Sequence, residues 1–198
     1  MKPPSPSKRF SRRTPNDTSA RILELFGKKL GLSVVADEDR ALKTELLEVL
    51  TAVETDMAIF FRGLGNLRVF DSDAQLTEER LLAPIRDAFY SPATIPEDHR
   101  QRLTEWLRRY AARVREGSFG DDERKARMDR ANPKYVLRNY VAQLAIDAAE
   151  AGDDSVVRRL LDILKRPFDE QPEHEEFAGK RPEWARSRVG CSMLSCSS

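Results

Sequence analysis

Apolar side chains recur along this chain at steps of three and four, the spacing of one helix face, and no stretch alternates singly as a half-buried strand would. From Asp17 the pattern turns helical. Ile22, Leu23, Leu25, Phe26 and Leu30 share one broad face, Asp17 or Thr18 can cap its start, and Gly31 suits the left-handed position that ends it. After the acidic turn Asp37 to Asp39, one long helix is expected through Leu42, Leu46, Val49, Leu50, Val53, Met57, Phe60, Phe61 and Leu64, stopped by Gly63 and Gly65. Residues 78–90 read as a helix that Pro84 must start, kink or divide, because proline lacks an amide donor. Glu97 to Glu116 carries the stripe Leu103, Trp106, Leu107, Tyr110 and Val114, closed by Gly117. Pro133 suits a first helical turn, which predicts a helix with Val136, Leu137, Tyr140, Val141, Leu144, Ala145 and Ala148 on its buried side, closed by Gly152. Its partner carries Val157, Leu160, Leu161 and Leu164 and ends at Pro167, so the two form an αα-hairpin.

The expected fold is therefore all-α, a multi-helix array without a sequence repeat. Residues 1–16 form a basic, Pro-rich leader whose composition is that of a disordered segment. Residues 17–166 form the helical domain. Residues 167–198 form an extended tail with Phe168, Phe177 and Trp184 as spaced anchors, suited to lying along a surface rather than building a core of its own.

Charge narrows the classes of partner. The chain has 34 Lys+Arg and 33 Asp+Glu, a net charge of +1, which removes the electrostatic case for a general nucleic-acid binder. No apolar run approaches the roughly 20 residues of a membrane span. The leader has no apolar core for secretion, and its prolines oppose the amphipathic helix of a mitochondrial transit peptide. Two cysteines cannot build a disulfide framework or a four-thiolate zinc site.

Few residues invite chemistry. His99 and His174 lie outside any metal spacing, and both read as solvated. Gly63-Leu64-Gly65 is a helix stop rather than a phosphate cradle, and no nucleophile elbow or phosphate-binding loop occurs. Basic residues dominate 100–130, while residues 167–178 hold five acids and no Lys or Arg. The basic stretch is either a face that docks an acidic partner or this acidic tail, or an ordinary solvated surface with intrahelical pairs. Arg138 and Asn139 supply neither base nor nucleophile, and read as polar groups tying their helix to a neighbour. Cys191 and Cys196, four residues apart in neither a redox nor a knuckle motif, read as free exposed thiols in a reducing cytosol.

Towards the C-terminus the residues become specific. Asn132-Pro133-Lys134-Tyr135-Val136-Leu137-Arg138-Asn139-Tyr140 runs on into Ala142-Gln143-Leu144-Ala145-Ile146, then Ala149-Glu150-Ala151-Gly152-Asp153 and Arg166-Pro167-Phe168, and Ser195-Cys196-Ser197-Ser198 follows Trp184. This resembles the C-terminal part of the selenoprotein O family, the pseudokinase-fold protein adenylyltransferases. Lys29-Leu30-Gly31-Leu32 and the stretch Asp56 to Arg62 resemble an upstream family segment, and residues 67–127 match only loosely.

The resemblance implies a helical part of a kinase-like fold. It implies an activity that transfers AMP from ATP to Ser, Thr or Tyr hydroxyls with Mg2+ or Mn2+. The family's ATP- and metal-binding residues belong to an N-terminal region outside this chain, so no catalytic, cofactor or metal residue is carried over and the chain alone is expected to be inactive. One position maps: Cys196, where the family carries cysteine or selenocysteine thought to gate activity by pairing near the active site; Cys191 is its competitor. The expected partners are the N-terminal kinase-like region or another protein, with self-association through apolar surface that region would otherwise cover. Neither nucleic acid nor membrane is expected. The expected compartment is the bacterial cytoplasm, or the mitochondrion in a eukaryote. The alternative reading is a free-standing helical interaction module.

Overall fold

The computed structural model describes residues 15–191, and side chains from residue 18 onward; the basic leader, apart from its last two residues, and Cys196 lie outside that range. Among the described residues eight α-helices and several 3-10 turns form the chain, with no strand and one isolated antiparallel bridge, Thr55 to Phe89. The all-α expectation holds.

The helices are α1 (Pro15–Leu30), α2 (Asp39–Ala52), α3 (Met57–Gly65), α4 (Glu78–Leu82), α5 (Glu97–Arg115), α6 (Asp121–Ala131), α7 (Asn139–Glu150) and α8 (Ser155–Leu164). Helix α1 begins at Pro15, ahead of the expected caps, and only Leu23, Phe26 and Leu30 of its predicted face turn inward; Ile22 and Leu25 are exposed. Gly31 follows in the left-handed region at φ 68°.

The single helix expected over 42–64 is two. Val53 is extended, and Asp56 caps α3 by accepting from the Ile59 amide at 3.0 Å. The break lets Asp56 N donate to Ala88 O at 2.8 Å and Tyr90 N to Glu54 O at 3.1 Å. This lays the turn 83–88, which Pro84 opens, across α3. Gly63 makes that crossing close enough that a methyl there would collide with the Pro84 carbonyl. Pro84 therefore divides the predicted 78–90 helix into α4 and a 3-10 segment.

The first core gathers α1 to α5 around Leu46, Phe60, Leu64, Leu81, Trp106 and Tyr110, all buried. Trp106 stacks on Tyr110 and donates Nε1–H to Leu42 O at 2.8 Å, locking α5 to α2. Helix α6 joins this core without an apolar stripe: Met128 is its only buried apolar side chain. Its anchor is Arg124, fully buried. Arg124 donates to Tyr110 Oη at 2.9 Å, to Asp121 Oδ1 at 3.2 Å, to Leu64 O and Gly65 O at 3.3 Å each, and to Leu67 O. The guanidinium thus gives a donor to carbonyls at and just beyond the C-terminal end of α3, where a cation is also favoured by the helix dipole. Tyr110 passes the network on to Leu30 O at 2.8 Å, and burial above all raises its pKa to about 12, so its hydroxyl stays a donor.

The helix expected from Pro133 starts six residues later. Lys134 N and Tyr135 N both donate to Pro167 O, at 2.8 and 3.0 Å, which holds 134–135 out of helical geometry. Val136, Leu137 and Leu144, expected inside, are therefore exposed. Helices α7 and α8 pair as the predicted hairpin, with Gly152 between them at φ 85°. The tail does more than lie on a surface. Phe177, Ala185 and Cys191 enter a second core with Tyr135, Tyr140, Val141, Leu160 and Ile163, while Phe168 and Trp184 stay largely exposed.

Arg124→Met keeps the bulk but takes a donor from three carbonyls and the buried counter-charge from Asp121. The expected loss is about 3–5 kcal/mol, as for removing one partner of a buried ion pair, read as a lower urea midpoint at unchanged slope.

Candidate functional site

Between the two cores lies a polar seam, and Asp56 is its centre. The residue that caps α3 also receives Arg138: Nε donates to Oδ2 and Nη2 to Oδ1, each at 2.9 Å, a two-point grip with both side chains nearly buried. Such pairing fixes orientation as well as distance. Arg138, immediately before α7, thus ties its helix to α3, the structural role read from the sequence. Its Nη1 is buried without an acceptor.

A second set of contacts holds the tail. Lys134 donates to Glu170 Oε2 at 2.5 Å and to Glu175. Arg62, projecting from α3, meets Glu170 and donates to Asp129 O at 3.2 Å and Phe168 O at 3.3 Å. Lys180 donates to Phe89 O at 2.7 Å, and Arg181 and Arg186 both grip Glu54 beside the ring of Tyr90. Arg62, Lys134, Glu170 and Glu175 line a crevice of about 480 Å3, with Asn66 and Asp87 among its other walls. The acidic tail therefore docks on Arg62 and Lys134, not on the 100–130 stretch.

The basic residues of that stretch pair in both ways: Arg100, Arg124, Lys125 and Arg127 each bind an acid of their own helix, as the reading with intrahelical pairs expects, while others reach neighbouring elements. Arg109 reaches Glu45, Arg113 grips Asp39 at 2.7 and 3.0 Å, Arg115 reaches Asp73, and Arg124 is internal. A larger crevice of about 640 Å3 lies where Lys28, Arg127 and Arg130 line one opening with Glu24; there Arg127 stacks on Phe119 at 3.9 Å.

Two sequence expectations change here. His99 is buried in the first turn of α5, and burial, then Arg102, lower its pKa, so the ring is neutral at pH 7. Cys191, expected exposed, is only 3 % exposed because the tail folds back against α7, where Arg188 binds Asp147 at 2.7 Å. Cys196 lies outside the described residues. Among the described residues no set of three His, Cys, Asp or Glu side chains converges as a metal site would. Asp56 is held by Arg138, Glu54 by Arg181 and Arg186, Glu170 by Lys134 and Arg62, and Glu175 by Lys134, so the chemistry of the seam is that of a clamp. Asp56 carried a readable signal, an acid just before an apolar run; its pairing with a residue far along the chain did not.

Asp56→Ala removes the cap, costing about 1 kcal/mol, and leaves Arg138 buried without a counter-charge, a further cost of about 3 kcal/mol. Asp56→Ala with Arg138→Met is expected to be less destabilised than Asp56→Ala alone, by urea titration.

The tail contacts respond to acid. Lys134 above all holds the Glu170 carboxyl below its ordinary value, while burial opposes it. Burial also opposes the Lys134 ammonium, but Glu170 and Glu175 outweigh it and raise its pKa. Glu170 thus contributes stability that is complete above the ordinary carboxylate pKa, about 4.3, and is lost as pH falls through its lower folded value. Hydrogen exchange of residues 167–178, corrected for intrinsic rate, should rise across that window, and Glu170→Gln should remove this acid dependence.

The family model described as protein adenylyltransferase SelO matches residues 16–165. The protein nucleotidyltransferase YdiU of Nitrosospira multiformis is 47 % identical over 192 residues, covering 88 % of this chain and 34 % of the relative. That of Rhodopirellula baltica is 49 % identical over 176 residues, covering 86 % and 33 %. That of Aromatoleum aromaticum is 44 % identical over 189 residues, covering 92 % and 34 %. The chain spans about a third of the length of these curated relatives. With its family match running from α1 to the end of α8, the chain belongs to the SelO family.

Proposed function

We propose that this chain serves as the C-terminal helical part of a SelO-type protein nucleotidyltransferase, a packing unit of the enzyme rather than its transfer centre. The observation that carries this reading is the coverage: strong identity along nearly all of this chain, but along only a third of relatives named as nucleotidyltransferases. The side chains agree with it. Transfer of AMP from ATP to a protein hydroxyl needs groups that position a triphosphate and neutralise its charge. Here Asp39, Asp56 and Glu170 are each held by Arg or Lys, so the described residues do not fit an Mg2+ or Mn2+ site, and no step is assigned to them.

In the whole enzyme, α3, α7 and the tail would be held as one rigid piece by Asp56 and Arg138. Cys196 is the thiol to which a redox role would fall, since Cys191 is enclosed in the second core. Among the described residues no helix is long and apolar enough to cross a membrane, and we place the protein in the bacterial cytoplasm.

Incubation of the chain with labelled ATP, Mg2+ or Mn2+ and a general protein acceptor should give the label of a heat-killed control. Incorporation above that control would overturn the reading.

A further inference from the structure

The hairpin of α7 and α8 carries an apolar groove that none of the described residues covers. Leu137, Ile146, Val157 and Leu161 line it at 52, 48, 38 and 58 % exposure, over a floor that includes Ala142 and Ala145. No polar side chain lines it, and its volume is about 200 Å3. Large apolar side chains gathered in one groove, rather than scattered singly, mark an interaction site.

The charges flanking the groove identify the occupant. Asp154, Arg158, Leu161 and Lys165 follow one another at steps of four, three and four, so they form one stripe along α8, with Val157 beside it on the groove. The stripe begins with an acid and ends with a base. Turned end over end, α8 presents to itself a base where it has an acid. Val157 and Leu161 are centred on residue 159, and Asp154 and Lys165 fall midway between 159 and 160. One two-fold axis therefore sets Val157 against Leu161 of a second copy and Asp154 against its Lys165 at the same time. The present partners of these charges, Arg158 for Asp154 and Asp162 for Lys165, are exposed pairs on the same helix and cost little to exchange. The far end of the hairpin, with Glu150 and Asp153, extends the acidic side.

We propose that this chain forms an isologous homodimer in which α8 packs antiparallel on α8 of a second copy, with the α7–α8 groove as its apolar centre. The dimer does not depend on the nucleotidyltransferase reading.

Sedimentation of the full chain under reducing conditions, over a concentration series, is the test. The expected result is a monomer–dimer equilibrium. Leu161→Glu, at a position exposed enough to spare the fold, should give monomer with an unchanged helical circular dichroism spectrum. Asp154→Lys breaks two symmetry-related pairs and sets like charges together, weakening the dimer about tenfold, and adding Lys165→Glu should restore it. A monomer at every concentration would overturn the proposal and leave the groove to another segment or protein. So would a dimer that Leu161→Glu leaves intact, or one that the paired charge reversal does not restore.

Discussion

A guanidinium buried in an apolar core must be surrounded by acceptors, and Arg124 imposes that demand on four helices at once. Removing such a cation from water costs several kcal/mol, while each charged hydrogen bond returns about 1.5–3. The net gain is small; what the arrangement supplies is position. The carbonyls of Leu64, Gly65 and Leu67 have to point at one spot, which fixes how α3 ends. Asp121 completes the set and also accepts from the Val69 amide at 3.0 Å, so the loop after α3 is fixed by the same group that starts α6. Tyr110 brings in α5 and, through Leu30, α1. Tyr110 and Asp121 contribute side-chain oxygens; the other three oxygen acceptors are main-chain carbonyls, so the site is built as much by backbone geometry as by residue type.

The second core is joined to the first differently. The apolar clusters are separate, and Asp56, Arg62 and Glu54 bind between them through Arg138, Glu170, Arg181 and Arg186. The two-point Asp56–Arg138 pair is nearly buried and fixes orientation, while the pairs on Glu54 and Glu170 are more exposed to solvent.

Periodicity located most helices because burial in this chain is mostly apolar and one-sided. It failed where polar atoms decide the geometry. Helix α6, DDERKARMDRA, has a single buried apolar residue, and its hold on the core is a side chain ordinarily counted as surface. The break at 53–56 keeps the apolar spacing of its neighbours in register, so only Asp56 as a cap could have revealed it. Residues 134–138 look helical after Pro133, yet the amides of Lys134 and Tyr135 are claimed by Pro167, a contact no local pattern encodes. For the same reason His99 and Cys191 were misplaced: burial of a lone polar or thiol group depends on what the tail and loops cover. The family resemblance was carried by a block of specific residues rather than by any periodicity, and it reached further than the helix pattern could.

Burial of Cys191 gives the remaining residues a fixed mooring. Four residues lie between it and Cys196, five steps along the chain, and a fully extended chain covers at most about 3.6 Å per step, so the two α-carbons stand no more than roughly 18 Å apart. A thiol that joins Cys196 must bring its own α-carbon to within about 7 Å of that end. Any disulfide made there is thus restricted to a sphere of roughly 25 Å about one point beside α7, whatever the rest of the molecule does.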